Sequence, residues 1–251
     1  MSKIISIHSF RGGTGKSNTT ANIAGILAVE GQRVGVIDTD IQSPGIHVMF
    51  GLAGNEVKQS LNDYLWSRCD IEQAAYDVTH NAAVGLTGKI FLIPSSIDAD
   101  ELVTVLREGY NVNMLTQGFH KLIKTLGLDV LLIDTHPGLN EETLYSIAVS
   151  HGLAIIMRPD QQDYEGTGVT VKVARSLDVP RMMLVVNKVP SSLKAEAVKD
   201  KVEAAYGCEV AAVLPLSDDM VSLGSAGIFA LRFPEHPLTK LFKEVAEKLV
   251  L

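Results

Sequence analysis

Short apolar runs alternate along the chain with longer stretches in which apolar and polar residues repeat at helical spacing. The apolar runs have strand length and lie at residues 3–8, 33–38, 89–94, 130–134, 152–158, 181–187 and 209–215. Strands that alternate with helices are typical of parallel sheets joined by crossover helices, and near-continuous apolar strands such as "VLLID" indicate burial on both faces. The pattern predicts an α/β fold with three layers: a doubly wound, mostly parallel sheet of seven strands flanked by helices.

The first and last predicted helices have clear limits and apolar faces. The first should begin near Gly15 and end at Gly31, because glycine favours a helix end. Its buried stripe is expected to consist of Ile23, Ile26, Leu27 and Val29. The last, "LTKLFKEVAEKLVL", carries an apolar stripe that is interpreted as core packing. Since no low-complexity linker or internal repeat divides the chain, a single domain over residues 1–251 is expected.

The segment between the first strand and the first helix carries a phosphate-binding pattern, "FRGGTGKSN" at residues 10–18. Glycines allow the backbone to turn sharply and direct successive N–H groups at phosphate oxygens, and the helix N-terminus adds a positive dipole end. Lys16 can neutralise the β- and γ-phosphates of a nucleotide, and Ser17 can give its hydroxyl to Mg²⁺. The predicted nucleotide-binding residues of this segment are Gly12, Gly13, Thr14, Gly15, Lys16, Ser17 and Asn18.

The loop departs from the ordinary GxxxxGK[ST] pattern, because Phe10 stands where the first glycine is required. It resembles the deviant Walker A loop, KGGxGK[ST], of the MinD/ParA family of P-loop ATPases, and the resemblance extends from "SFRGGTGKSNTTANIA" to "RFPEHPLTKLFKEVAEKL". The resemblance implies ATP, ADP and Mg²⁺ as ligands, slow ATP hydrolysis, and a homodimer formed with ATP. In that family the first lysine of the loop reaches the partner's nucleotide. Here Arg11 holds that position, and Arg158 is the alternative source of the cation.

Aspartates follow the second and fourth predicted strands. Asp38 and Asp40 in "VIDTDIQSPG" are placed where carboxylates can orient an attacking water and hold Mg²⁺. Asp38 is expected to position the water, with support from Asp40. Asp134 in "VLLIDTHPG" resembles the Walker B aspartate that holds Mg²⁺ through a water, followed by a turn that moves with the γ-phosphate. The predicted metal-site residues are Ser17, Asp38 and Asp134, and His136 is interpreted as an ordinary turn residue.

The ends of the sixth and seventh predicted strands supply candidates for holding the base. "VVNKVP" and "VLPLSDD" resemble the segments that contact adenine in the MinD/ParA family. An amide can donate to and accept from the adenine edge at once, so Asn187 is expected to recognise the base. Pro215 and Leu216 are expected to form a wall of the same pocket.

Composition narrows the class of protein. The chain has 251 residues, of which 46% are hydrophobic, and a net charge of −7. Its apolar runs are shorter than a membrane span and "MSKIISIHSF" lacks the features of a signal peptide, so a cytoplasmic protein is expected. The two cysteines, Cys69 and Cys208, form no CxC or CxxC pair and are interpreted as reduced thiols. Relatives that load metals or iron–sulfur clusters through paired cysteines therefore lose support.

These features are interpreted as an ATP-gated dimerisation switch that positions or partitions a cellular cargo, together with an activating protein partner or cargo adaptor. A nucleotide-dependent regulator without cargo transport and an ATP-dependent small-molecule ligase of the same fold are the alternatives. Direct membrane binding is not expected, because the stripe of the last helix packs in the core. Nonspecific DNA is a candidate surface for the ATP dimer to bind, which would associate the protein with the nucleoid. The contacts would come from lysines that form a closely spaced positive patch when two subunits pair. These lysines are Lys194, Lys199, Lys201, Lys240, Lys243 and Lys248.

Overall fold

The computed structural model describes residues 2–250, without the side chains of residues 102, 105, 106 and 108. The described strands are β1 Lys3–His8, β2 Arg33–Asp38, β3 Tyr76–Asp77, β4 Lys89–Ile93, β5 Val130–Asp134, β6 Gly152–Met157, β7 Met182–Val189 and β8 Val210–Pro215. The α-helices are α1 Lys16–Val29, α2 Ile46–Met49, α3 Leu61–Leu65, α4 Thr79–Ala82, α5 Ala99–Glu108, α6 Asn113–Leu126, α7 Glu141–Ala148, α8 Gln161–Ser176, α9 Ala195–Tyr206, α10 Asp218–Leu223, α11 Phe229–Arg232 and α12 Pro237–Val250. Two short 3₁₀ helices lie at Gly54–Glu56 and Ile71–Ala74.

The strands form one sheet in the order β3-β4-β2-β5-β1-β6-β7-β8. Every pair is parallel except β3 with β4 at the edge. The predicted doubly wound α/β fold is confirmed, and all seven predicted strands are present within one or two residues of their expected limits. The additional strand, β3, has two residues and is too short to produce a period in the sequence.

Alternate residues of the strands face opposite layers of helices. On one face, Ile5, Val36 and Leu132 belong to a core cluster that also includes residues of α1, α11 and α12. On the other face, a cluster with residues of α3 and α6 covers one half of the sheet, and a cluster with residues of α8 and α9 covers the other half. Both faces of the sheet are therefore buried, which explains the continuous apolar runs of the strands.

The two helices singled out from the sequence both pack on the first of these faces. Helix α12 buries Leu238, Phe242, Val245 and Leu249 of its predicted apolar stripe, whereas Leu241 of the same stripe is only partly buried. The buried residues of α1 continue around most of its circumference from Thr19 to Ala28, instead of forming one stripe. Val29 was expected in the core but is 54% exposed, because it ends the helix where the chain leaves the core. None of the described helices is long and apolar enough to cross a bilayer.

Candidate functional site

The carboxyl ends of β1, β2 and β5 lie side by side at one edge of the sheet. Asp38 pairs in register with Asp134, which in turn pairs with Ile7 of β1. Because β5 lies between β1 and β2, the glycine-rich loop after β1 and the two aspartates converge on one place. This is the edge at which open α/β sheets bind their ligands.

A cavity of about 240 Å³ lies over this edge. Its lining includes all seven predicted loop residues from 12 to 18, together with Ser9, Asp40, Pro137 and Lys188. Gly13 and Gly15 have φ angles of 77° and 97°, in the left-handed region that glycine enters readily. The hydroxyl of Thr14 is buried and has no hydrogen-bond partner among the described residues. An anionic oxygen in the cavity could accept a hydrogen bond from such a donor.

Lys16 begins α1, and its side chain is almost completely buried below the loop. The Lys16 ammonium nitrogen lies 2.9 Å from the Asp134 carboxylate, which also accepts a hydrogen bond of 3.0 Å from the Thr20 hydroxyl. A buried ammonium requires a counter-charge, and Asp134 supplies it. The phosphates of a nucleotide in the adjoining cavity could compete for the same ammonium, as the sequence predicts. Thr20 could not be recognised in advance, because its role depends on the distance to Asp134.

Asp38 is buried beside Asp134. Its carboxylate accepts a hydrogen bond of 3.0 Å from the N–H of Asp40. Burial and the neighbouring Asp134 raise the pKa of Asp38 to about 8, and the charge of Lys16 opposes this rise. Asp40, not Asp38, is among the residues that line the cavity. Of the two carboxylates predicted to orient water, the structure thus brings Asp40 to the cavity and places Asp38 below it.

The loops that follow β1, β2 and β5 contact one another. A ring nitrogen of His136, after β5, lies 2.6 Å from the Asp40 carboxylate, after β2. The N–H of Gly138 donates to the Ser9 carbonyl at 3.1 Å, and Gly138 has a φ of 89°. His136 is therefore more than the ordinary turn residue expected from the sequence, because it links the loop after β2 to the turn after β5 that is predicted to move with the γ-phosphate.

A second, smaller cavity of about 80 Å³ adjoins the loop. It brings together Asn187, Pro215 and Leu216, as predicted for a base pocket, with Gly15 and Asn18 of the loop. The other wall residues were not anticipated from the sequence: Lys188, Ser217, Met220, Val221, Leu238 and Phe242. The Asn187 amide donates to the Thr14 carbonyl at 2.8 Å and accepts from the N–H of Lys188 at 2.8 Å. The oxygen and the nitrogen of the Asn187 amide can each make one more hydrogen bond, so these contacts leave the amide able to bind adenine. The contact with adenine stays a prediction.

Both candidate arginines bind carboxylates at the N-terminus of α8. Arg11 lies 2.9 Å from Asp163 and 3.6 Å from Asp160, and its guanidinium also contacts Gln162. Arg158 lies 3.1 Å from Asp160 and 3.4 Å from Asp163. The structure thus groups the two arginines in one ion-pair network within the chain. Whether either reaches a second subunit stays a prediction.

His8 lies at the carboxyl end of β1, fully buried beneath the loop. One ring nitrogen lies 2.8 Å from the Thr135 hydroxyl, and the other has no hydrogen-bond partner among the described residues. Burial lowers the pKa of His8 to about 3, and the charges of Lys16 and His136 contribute to the same shift. His8 is therefore neutral at physiological pH.

Half of the lysines proposed to contact DNA have partners within the chain. Lys248 lies 3.0 Å from Glu209, and Lys199 lies 4.0 Å from Glu203. Lys201 lies over the ring of Tyr164, 4.8 Å from its centroid. These contacts reduce the unpaired positive charge that the surface offers to a polyanion.

The two cysteines lie in different parts of the core. Cys69 packs against the cluster that contains Phe119, and Cys208 belongs to the cluster that contains Val202. Burial raises the pKa of both thiols, so both are protonated at neutral pH. Within the part of the chain that the structure describes, no group of three or more His, Cys, Asp or Glu residues could hold a metal ion. Neither cysteine forms a disulfide in the described part of the chain, and the interpretation of two reduced thiols stays a prediction.

Comparison with solved structures shows the same fold in a known protein. The chain superposes with a TM-score of 0.82 on the septum site-determining protein MinD of Pyrococcus horikoshii in complex with Mg-ADP. The match covers 98% of this chain and 95% of that one, at 20% sequence identity. At this level of identity the likeness establishes the fold and not the function.

Comparison with curated proteins identifies relatives along the whole chain. An uncharacterized ATP-binding protein of Methanocaldococcus jannaschii is 27% identical and matches over 100% of this chain and 88% of its own length. An iron–sulfur cluster carrier protein of Pseudomonas fragi is 28% identical over 97% of this chain and 83% of its own length.

These relatives correct the functional prediction made from the sequence. The expectation of a switch that positions or partitions cargo is wrong, because several relatives are iron–sulfur cluster carriers. The residues on which that expectation was based line the two cavities beside the glycine-rich loop, and they do not identify what the protein acts on. The resemblance to MinD/ParA-type ATPases is confirmed. The family model ParA, described as NUBPL iron-transfer P-loop NTPase, matches residues 1–250, and the chain therefore belongs to this family.

Proposed function

We propose that this protein binds ATP with Mg²⁺ at the phosphate loop, hydrolyses it slowly, and uses the cycle to drive iron–sulfur cluster transfer. The observation that carries the nucleotide part is the buried contact of 2.9 Å between Lys16 and Asp134, directly below a glycine-rich loop at the carboxyl edge of the sheet. This contact holds a cation and a carboxylate where phosphates and Mg²⁺ would meet.

ATP binding would redistribute the partners of Lys16. The loop N–H groups from Gly12 to Ser17 would surround the phosphates, and the Lys16 ammonium would turn from Asp134 towards them. Asp134 would then be available to hold Mg²⁺ through a water, with the Ser17 hydroxyl as a direct ligand. The donor set suits Mg²⁺, which prefers oxygen ligands, and when bound the ion would neutralise charge on the β- and γ-phosphates.

Two carboxylates are available to orient the attacking water. Asp40 lines the cavity and Asp38 lies below it, linked to Asp40 by a hydrogen bond. In this proposal Asp38 holds the water in line with the γ-phosphate after the loop rearranges around ATP, and Asp40 supports it.

The ATP form is proposed to be a homodimer. Arg11 stands at the edge of the phosphate loop, and its side chain is 28% exposed while it pairs with Asp163. An exposed cation next to the nucleotide cavity could exchange its intrachain carboxylate for phosphate oxygens of a partner subunit. Since Arg158 shares the same carboxylates, it could take over the pairing that Arg11 leaves.

The iron–sulfur part of the proposal is supported by the family and by the cluster carriers among the relatives. The cluster would be cargo and not a resident cofactor. Cys69 and Cys208 do not suit it as a pair of ligands within one chain, because they lie in separate core clusters with raised thiol pKa values. No cluster ligands are therefore assigned to these residues.

Nucleotide binding and cluster transfer can be tested with one variant, Lys16→Met. Calorimetry with MgATP and release of phosphate measure binding and turnover. Recovery of activity by an apo iron–sulfur enzyme, supplied with iron, sulfide and this protein, measures transfer. We expect ATP to increase the recovery with wild-type protein and not with Lys16→Met, while Lys124→Met, at an exposed position of α6, behaves like wild type. Equal recovery with Lys16→Met, or with ATP omitted, would overturn the transfer proposal, and wild-type ATP affinity in that variant would overturn the site.

A further inference from the structure

The carboxyl end of β7 has an irregularity beside the phosphate loop. The pairing of β7 with β8 shifts register between Val186 and Val189, and Lys188 in this interval has a φ of 56°. The left-handed conformation costs a lysine roughly 1 kcal/mol or more, so the surrounding contacts must hold it in place. The N–H of Lys188 donates to the side chain of Asn187 at 2.8 Å, which fixes both residues together.

The two side chains hold successive carbonyl groups of the loop. The Lys188 ammonium donates to the Gly13 carbonyl at 2.7 Å, and the Asn187 amide donates to the Thr14 carbonyl at 2.8 Å. In a trans peptide the carbonyl and the following N–H point in opposite directions. The contact of Lys188 with the Gly13 carbonyl therefore sets the direction of the Thr14 N–H. The contact of Asn187 with the Thr14 carbonyl sets the direction of the Gly15 N–H.

These directions match the needs of an anion-binding loop. The two carbonyls are bonded to the end of β7, so the N–H groups of Thr14 and Gly15 point away from the Asn187 amide and the Lys188 ammonium. Thr14, Gly15 and Lys188 all line the 240 Å³ cavity. If either peptide turned over, a carbonyl oxygen would replace an N–H donor next to the phosphates and repel them. Lys188 also lines the adjoining 80 Å³ cavity and so lies between the predicted phosphate and base sites.

We propose that Lys188 is a positioning residue of the phosphate loop. Its ammonium holds the Gly13 carbonyl away from the bound phosphates, so that the loop presents N–H donors to them. The inference rests on the proposed binding of ATP, and it gives Lys188 a role that differs from that of Lys16. Lys16 would contact phosphate directly, whereas Lys188 acts through the backbone of Gly13 and Thr14.

The test compares Lys188→Met with Lys188→Arg and with Lys124→Met, a control at an exposed position of α6. Methionine keeps the length of the side chain and has a similar backbone preference, but it lacks the donor. Calorimetry gives the dissociation constants for MgADP and for inorganic pyrophosphate, which has no base. Because the contact is a charge-assisted hydrogen bond at an exposed position, we expect Lys188→Met to weaken both ligands by the same factor, roughly five- to ten-fold. Lys188→Arg should recover most of the loss.

Pyrophosphate separates a role of Lys188 at the phosphates from a role at the base or ribose. Weaker MgADP binding with unchanged pyrophosphate binding would overturn the proposal, because Lys188 would then act on the base or ribose. Unchanged binding of both ligands would also overturn it. If Lys188→Met is less stable than wild type, Lys188→Gly serves as the second variant. Glycine adopts the left-handed conformation without strain but lacks the ammonium, so it should weaken the binding of MgADP and pyrophosphate by the same factor. A wild-type protein that binds neither ligand would overturn the proposed function together with this inference. If the wild type binds both ligands, the contrary Lys188→Met results overturn only the inference.

Discussion

Replacing Lys16 by methionine should destabilise the protein even when no nucleotide is involved. Methionine has nearly the same length, so the change removes a charge and leaves the packing below the loop nearly intact. The Asp134 carboxylate would then be buried next to Asp38 without its cation, retaining the hydrogen bond of 3.0 Å from Thr20. Lys16→Met thus isolates the contribution of the buried ion pair.

The size of the effect follows from the burial of the pair. Removing one partner of a buried ion pair costs about 3–5 kcal/mol, because the other charge is left uncompensated. We expect the lower end, about 3 kcal/mol, because the adjoining cavity allows some access of water to Asp134. For a protein of this size such a loss lowers the melting temperature by roughly 6 to 12 °C.

The matched variant is Lys16→Met combined with Asp134→Asn. Asparagine preserves the shape and still accepts the hydrogen bond from Thr20, so the double variant should recover most of the lost stability but bind no ATP. Denaturant unfolding of wild type, both single variants and the double variant gives the coupling free energy, which we expect to exceed about 2 kcal/mol. A Lys16→Met protein as stable as wild type, or a double variant less stable than both single variants, would refute the argument that the pair is buried and mutually compensated.

Three further outcomes follow from the site. His8 has a pKa of about 3 when folded and near 6.5 when unfolded, so the unfolded chain takes up a proton first as the pH falls below 6.5. Wild type should therefore lose about 2 kcal/mol more stability than His8→Gln between pH 7 and pH 5, and equal losses in denaturant titrations would contradict this. Gly15→Ala should weaken MgADP binding at least about ten-fold, because its Cβ would lie 2.3 Å from the Asn187 amide nitrogen at a positive φ. In Gly13→Ala no atom lies within 4 Å of the new Cβ, so this variant isolates the cost of the positive φ angle, and its MgADP binding should weaken less than that of Gly15→Ala. Arg11→Ala should remain monomeric with ATP, as measured by light scattering. A dimer like that of wild type would exclude the proposed contact of Arg11 with the nucleotide of the partner subunit.

The elements of the fold were predictable because their signals are local. A parallel strand buried on both faces needs only a short apolar run, and the phosphate loop needs glycines, a lysine and a hydroxyl within residues 10–18, between a strand and a helix. The two-residue strand β3 has no such signal and was missed. Val29 was misassigned because helix periodicity identifies a face but not how far the covering sheet extends along it.

The partners of the site residues were not predictable, because they depend on strand order. Asp134 reaches Lys16 since β5 lies beside β1, although the two residues are 118 positions apart. The Lys188 ammonium reaches Gly13 only because β7 shifts register and turns left-handed at its end. The contact of His136 with Asp40 joins loops that the sequence treats separately.

Thus the sequence alone determined the α/β class and the glycine-rich loop between β1 and α1, and it supplied the candidate nucleotide-binding residues of that loop, since each depends on neighbours along the chain. Only the tertiary structure decided which side chains meet: that Asp40 reaches the cavity while Asp38 stays below it, that Arg11 pairs with Asp163, and that Lys188 holds the loop. Such contacts join segments up to 175 residues apart, and their geometry depends on sheet order and backbone twist, which no short pattern of residues encodes.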